Sequence, residues 1–261
     1  MSFPENKTVV FRCDASKKIG SGHIMRCITL AYELKSLGYE IVFICRAYDG
    51  NLIELIKKQF YVLVLKNIFF SDETSGNLYG RSLYLNWLGC SQIEDADNSI
   101  KLIKEYVLSP ICLLIIDHYS LDEVWEDQVF DYIKHNNDGF ETKLIVIDDL
   151  ADRKHNCDFL LDQTFLRSKQ DYKKFVNHKC KLLVGSEFAI LREEFREIRI
   201  DSLKRKSQLK NENVQKVLIY LGSFYDLHFI NIIFKTLSEL SVSELLDIEF
   251  ISPISESDIK F

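Results

Sequence analysis

A histidine directly behind a glycine pair is the part of this sequence best placed to do chemistry. His23 closes the string Ile19-Gly20-Ser21-Gly22-His23 and opens residues 23–37, where Ile24, Cys27, Ile28, Leu30, Ala31, Leu34 and Leu37 fall at helical spacing. Gly20 and Gly22 permit positive φ and let a ligand approach bare backbone. The first turn of a helix carries N–H groups without partners and a partial positive charge, a place for a phosphate or a developing oxyanion. An imidazole beside such a guest titrates near neutral pH and can move a proton. Neither common phosphate loop is present: Met25 stands where a Rossmann loop has its third glycine, and no Gly-Lys-Ser/Thr follows. The competing reading is a glycine turn that binds nothing, with His23 as a cap or core residue.

Other polar groups gather where apolar runs end. Asp14 lies in the turn after the first run, flanked by Arg12; Asp117, His118 and Tyr119 follow residues 112–116; Asp148 and Asp149 follow residues 144–147. Asp14 is read as orienting His23, as contacting substrate, or as a turn residue bonded to its own backbone. Arg12 and Arg26 are candidates for phosphate or for pairing with acids such as Asp14, with a structural pair favoured for Arg26. His118 is open between substrate contact and structural hydrogen bond, and Tyr119 is read as packing. Asp148 and Asp149 look like a Mg²⁺ pair, but adjacent residues of an extended chain point to opposite faces, so loop-fixing or substrate contact is expected instead. Asp162 and Gln163 are weaker substrate candidates. His135, His155, His178 and His228 carry no strong case, and Trp87 and Trp125 are expected in a core or interface.

These groups need a scaffold, and the sequence alternates strand and helix. Strands are expected at 8–13, 40–45, 61–65, 112–116 and 144–147; helices at 23–37, 51–58, 91–107 and 121–134, with Gly38 ending the first. Residues 67–90 are irregular, with a polar loop at 71–77. Short extended segments are expected at 159–161, 180–184 and 188–191, and a charged helix at 193–208. This is the pattern of an α/β protein with a doubly wound parallel sheet, in which ligands collect outside the carboxyl ends of the strands. His23, Asp117, His118, Asp148 and Asp149 all fall there, so one shared cleft is expected.

Composition narrows the class. Of 261 residues 47% are apolar, enough for an ordinary core, and the formal charge of -6 argues against a nucleic-acid partner. The cluster Lys204, Arg205, Lys206 and Lys210 is read as solvated. Seven cysteines without a Cys-x-x-Cys pair indicate neither zinc nor a redox motif and fit a cytoplasmic protein, with Cys45, Cys112 and Cys180 as small core residues. No apolar run reaches the ~18 residues of a membrane span, and no signal peptide is seen.

Several motifs together resemble one family. Arg12-x-Asp14-Ala15-Ser16 with Ile19-Gly20-Ser21-Gly22-His23-Ile24-Met25-Arg26-Cys27, Asp117-His118-Tyr119-x-Leu121-Asp122-x-x-Trp125-Glu126, and Ile147-Asp148-Asp149-Leu150-Ala151-Asp152-Arg153-x-His155 are similar to segments of the UDP-2,4-diacetamido-2,4,6-trideoxy-β-L-altropyranose hydrolases of pseudaminic acid biosynthesis. Cys157-Asp158-x-Leu160-Leu161-Asp162-Gln163 and Leu183-x-Gly185-x-x-x-Ala189-x-Leu191-Arg192-x-Glu194-Phe195 extend the resemblance to about residue 199. It implies a fold like that of GT-B glycosyltransferases of the MurG type, and metal-free, cofactor-free hydrolysis in which His23 activates water, UDP leaves and the sugar inverts. Arg12, Asp14, Gly20, Ser21, Gly22, Asp117, His118, Asp148, Asp149, Asp162 and Gln163 are the substrate-binding candidates, and a UDP-sugar is the small-molecule partner.

The expected division is an N-terminal domain at 1–199, a linker at 200–213 and a second α/β domain at 214–261. That second unit is a single β-α-β, too small for a core of its own; a full domain needs about 100 residues more. The resemblance puts nucleotide contacts there, and the family's Gly-Gly-x-Asp is altered to Gly222-Ser223-Phe224-Tyr225-Asp226. A truncated chain, or one that has lost its nucleotide half, is therefore expected. Two alternatives to the hydrolase remain: a glycosyltransferase, and a non-catalytic remnant that binds a partner.

Overall fold

In a computed structural model, residues 7–66, 82–208, 216–221, 227–239 and 247–251 are described. The candidates Gly222 and Ser223, the loop at 71–77 and the stretch 209–215 lie outside the described residues. The chain forms two compact units, one of residues up to 19 with 23–190, the other of 20–22 with 191 onward.

The first unit is built on β1 (Thr8–Cys13), β2 (Glu40–Arg46), β3 (Tyr61–Leu65), β4 (Ile111–Asp117), β5 (Lys143–Ile147), β6 (Phe159–Asp162) and β7 (Lys181–Val184). These form one sheet in the order β3-β2-β1-β4-β5-β6-β7, with every neighbouring pair parallel. The chain winds outward from β1 in one direction and then, from β4, in the other, so the topological switch point lies between β1 and β4. The helices α1 (Gly22–Ser36), α2 (Ile53–Lys57), α3 (Ser82–Leu85), α4 (Gln92–Tyr106), α5 (Glu123–His135) and α6 (Lys169–Tyr172) make the connections.

Side-chain alternation along each strand sorts the core into two layers. Val10, Val42, Ile44, Leu114, Ile116, Leu144 and Val146 face Ala96 and Ile103 of α4 and Trp125, Val129 and Ile133 of α5. Val9, Phe11, Cys13, Phe43, Cys45, Ile115 and Ile147 face Ile24, Cys27 and Ala31 of α1 and Ile53 and Ile56 of α2. Both faces of the sheet are covered, which is why its central strands are almost wholly apolar. The fold is thus α/β with a doubly wound parallel sheet.

Local signals place the helix ends. Gly20 adopts φ 81°, the turn that delivers the chain into α1, and Gly38 adopts φ 90° where α1 ends. Ser91 caps α4 by accepting from the Glu94 N–H, and Asp122 caps α5 by accepting from the Val124 N–H. The extended segment expected at 188–191 is not a strand: Phe188 ends a 3₁₀ turn, Ser186–Phe188, and residues 189–191 form no regular element. Gly185 at φ 116° breaks the strand, and the Phe188 N–H donates to the Gly185 carbonyl.

In the second unit α7 (Glu193–Gln208) is followed by β8 (Lys216–Tyr220), α8 (Leu227–Glu239) and β9 (Asp247–Ile251), with β8 and β9 parallel. Residues 200–208 therefore continue α7 rather than begin a linker. Its many Glu, Lys and Arg residues are good helix formers, and no residue of α7 is buried.

Candidate active site

The switch point brings the ends of β1 and β4 side by side, with Cys13 in register with Asp117. Asp117 is the last residue of β4. By the alternation that buries Ile115 against α1, its side chain also faces α1. There it meets the first turns of that helix, where His23, Arg26 and Cys27 occupy positions i, i+3 and i+4 on one face.

His23 Nδ1 lies 2.5 Å from Asp117 Oδ1. Arg26 grips the same carboxylate with two N–H groups, Nε at 2.5 Å from Oδ2 and NH2 at 2.6 Å from Oδ1. The Cys27 thiol donates to Oδ2 at 3.5 Å. Burial alone would raise the Asp117 carboxyl, but His23 and Arg26 outweigh it and hold it well below the usual carboxylate range. Arg26 NH2 also stands 3.3 Å from His23 Nδ1. The shorter contact to a full carboxylate calls for a proton on Nδ1, which donates to Asp117.

Arg26 reaches further, to Asp149 Oδ2 at 2.9 Å, and the Tyr119 hydroxyl donates to Asp149 Oδ1. The Tyr119 and His23 rings pack T-shaped, centroids 4.5 Å apart at 83°. Trp87 stacks on Tyr119 at 5.7 Å and lies T-shaped to His23 at 6.4 Å, while Tyr84 closes on both Trp87 and Tyr119. His23, Arg26, Asp117, Tyr119 and Asp149 thus form one hydrogen-bonded group beside an aromatic wall.

The other expected residues are gathered elsewhere by the same alternation. Arg12 and Asp14 face the α4 side of the sheet. Arg12 pairs with Asp14 at 2.7 Å and with Asp95 of α4 at 2.9 Å, and Arg46 of β2 reaches Asp95 at 2.5 Å. Trp125 Nε1–H donates to Asp95 at 2.9 Å. Asp14 does not orient His23: its Oδ1 accepts from the Arg46 N–H at 2.6 Å and its Oδ2 lies 3.2 Å from His118 Nε2. His118 Nδ1 accepts from the Ser120 N–H at 3.1 Å, so Nε2 carries the proton and the ring is neutral. Burial lowers the His118 pKa, outweighing the attraction of Asp14. Arg26 accordingly pairs with Asp117 and Asp149, not with Asp14.

Asp148 and Asp149 take different partners, as their adjacency requires. Asp148 is fully buried, paired with Arg153 at 2.7 Å and accepting from the Ala151 N–H and the Tyr172 hydroxyl. The same Tyr172 hydroxyl lies 2.8 Å from Asp162, which also pairs with Arg167 at 2.7 Å. Arg167 in turn donates to the Asp149 carbonyl. Gln163 accepts from the Ile190 N–H at 3.0 Å. Among the described residues no group of three or more His, Cys, Asp or Glu side chains converges as a metal site.

Several partners escaped the sequence reading. Asp95, mid-helix in α4, is the hub of the second network, and Trp87 belongs to the wall beside His23. His155 is buried 2.6 Å from Glu126. The spacing of His23 and Arg26 on one helix face was a usable signal for a common acidic partner; nothing in the local sequence marks Asp95. Cys45 is buried as expected, whereas Cys112 and Cys180 are half-buried. Among the described residues, no helix is long and apolar enough to cross a membrane.

No family model matches the chain. Among curated proteins, the UDP-2,4-diacetamido-2,4,6-trideoxy-beta-L-altropyranose hydrolase of Campylobacter jejuni is 30% identical over 189 residues, which are 72% of this chain and 53% of the hydrolase. An uncharacterized protein of Methanocaldococcus jannaschii is 24% identical over 212 residues, 80% of this chain and 35% of that protein. The chain therefore spans about half the length of the first and about a third of the second. Two solved structures, Acinetobacter baumannii MurG and CalG4, the calicheamicin glycosyltransferase, superpose with TM-scores of 0.44 and 0.48 at 9% identity, each over 98% of this chain and 70% of the other. The resemblance to the hydrolase that the motifs carry is thus met by the sequence comparison.

Proposed function

We propose that this protein hydrolyses a UDP-linked 2,4-diacetamido-2,4,6-trideoxyhexose to UDP and the free sugar in pseudaminic acid biosynthesis, without a metal ion and with His23 activating the water. One observation carries the reading: an imidazole at the start of α1, at the switch point, with Nδ1 held 2.5 Å from a buried carboxylate. The likeness to the Campylobacter hydrolase supports the substrate class.

The chemistry follows from the tautomer. Nε2 takes a proton from water as its oxygen attacks the anomeric carbon, and the bond from that carbon to the diphosphate oxygen breaks. A single displacement inverts the sugar. The imidazolium that forms is offset by Asp117, whose charge Arg26 keeps fixed in place. UDP departs as an anion, and the first turn of α1 is proposed to stabilise its charge. Asp149 is the acid of this group with appreciable exposure, its side chain 24% accessible, and is the one proposed to contact the sugar. Arg12, Asp14, His118, Asp148 and Asp162 are engaged with buried partners on other elements, and their proposed part is to hold the strand ends in place. Gly222 and Ser223 are proposed to contact the nucleotide.

The test is turnover of that UDP-sugar in ¹⁸O-water with EDTA and no acceptor. UDP should appear, with the label on the sugar's anomeric carbon. Label in the UDP phosphate would place the attack at phosphorus, and absence of both turnover and calorimetric binding would remove the nucleotide-sugar reading.

A further inference from the structure

Cysteine spacing alone suggests no redox chemistry, yet the fold brings two distant thiols into contact. Cys157 lies two residues before β6 and Cys180 one residue before the adjacent parallel strand β7, and their sulfur atoms are 3.6 Å apart. The strand pairing fixes this approach: Phe159 is in register with Lys181, and the Lys181 N–H donates to the Asp158 carbonyl at 2.8 Å. On the other side Asn177 Oδ1 accepts from the N–H groups of Lys179 and Cys180, holding the turn that carries Cys180. We propose that Cys157 and Cys180 are an oxidisable dithiol that closes to a reversible intramolecular disulfide on reaction with a small disulfide such as glutathione disulfide.

The two sulfurs have different roles. Cys180 is half-buried and Cys157 is buried. The hydrogen bond from Cys157 lowers the Cys180 pKa, whereas the same contact and burial push Cys157 up. Cys180 is therefore the attacking thiolate. Its sulfur displaces one glutathione thiolate from glutathione disulfide, giving a mixed disulfide. Cys157 gives its proton to solvent and attacks the Cys180 sulfur, releasing the second glutathione thiolate. In sum two protein thiols become one disulfide and one glutathione disulfide becomes two glutathiones. The ring closed in this way contains Asp162, Arg167 and Tyr172. Cys13, Cys27 and Cys45 are buried, and burial pushes the Cys27 thiol up to about 11, so they do not compete.

The experiment treats the full chain with glutathione disulfide, traps remaining thiols with N-ethylmaleimide, and identifies peptides by mass spectrometry before and after adding glutathione. The expected result is loss of two of the seven thiols, a peptide pair joining Cys157 to Cys180, and return of both on reduction. Cys157→Ser should stop the reaction at a glutathione adduct on Cys180, and Cys180→Ser should leave Cys157 unmodified. Recovery of both cysteines as free thiols, an adduct on Cys180 that never resolves in the parent chain, or a cross-link to any other cysteine would overturn the proposal.

Discussion

One carboxylate organises the proposed site. Asp117 receives His23, two N–H groups of Arg26 and the Cys27 thiol, and it is fully buried, so each partner depends on its charge. Replacing a buried paired acid by a neutral group strands the cation it held, which costs about 3–5 kcal/mol. Asp117→Asn should therefore lower stability by about that amount in urea unfolding. It should also cut kcat by ~10² or more while changing KM little, because the amide no longer fixes the imidazole tautomer. A variant of unchanged stability and kcat would show the contact to be incidental. His23 was legible from its glycines and its place at a helix start. Its partner was visible only as one of several acids at strand ends. Asp14, nearer in sequence, was the acid read as orienting His23, but strand alternation turns Asp14 to the opposite face of the sheet, toward His118.

The same alternation governs the elements. Apolar runs and helical periodicity gave the strands of the central sheet almost to the residue, because burial on both faces leaves a strong signal. What they could not show was which helix supplies the charge that buried arginines need. Asp95 of α4 answers Arg12 of β1 and Arg46 of β2 and accepts from Trp125 of α5, tying two strands and two helices at one point. Arg12 and Asp14, read as phosphate or substrate groups, belong to that joint. Asp95→Ala leaves one buried guanidinium without its main partner and another with a weakened set, and should cost about 3–5 kcal/mol in a denaturant titration. A loss below about 1 kcal/mol would mean the hub carries no weight. The 3₁₀ turn at Ser186–Phe188 was missed for a local reason: Phe188, Ala189 and Ile190 look strand-like, but Phe188 ends the turn that follows Gly185 at φ 116°, and Ala189 and Ile190 pair with no strand among the described residues.

Across the whole molecule, the buried aspartates and His118 make stability on the acid side of neutrality depend on pH with one sign. Unfolded aspartates titrate near about 3.9 and histidine near about 6.5. Asp14, Asp95, Asp117 and Asp148 are held lower in the folded state, each by arginine or histidine partners that outweigh burial, and His118 is held lower by burial. For all five the unfolded chain binds protons that the folded chain refuses, so stability rises with pH through each window. The contribution of these five groups to the unfolding free energy should be full above about pH 6.5 and fall below it as unfolded His118 is protonated, by up to about 1.4 kcal/mol per pH unit from this group. It should fall again below about pH 4 as the aspartates follow. His118→Gln should flatten the first limb and leave the second; an unchanged first limb would rule out His118 as its source. The reading of the chain as a catalyst stands on His23, and its most direct test is UDP release by His23→Ala beside the parent chain, with both shown folded by circular dichroism. The account predicts a fall of about 10²–10⁴-fold in kcat; release at the parental rate would contradict it.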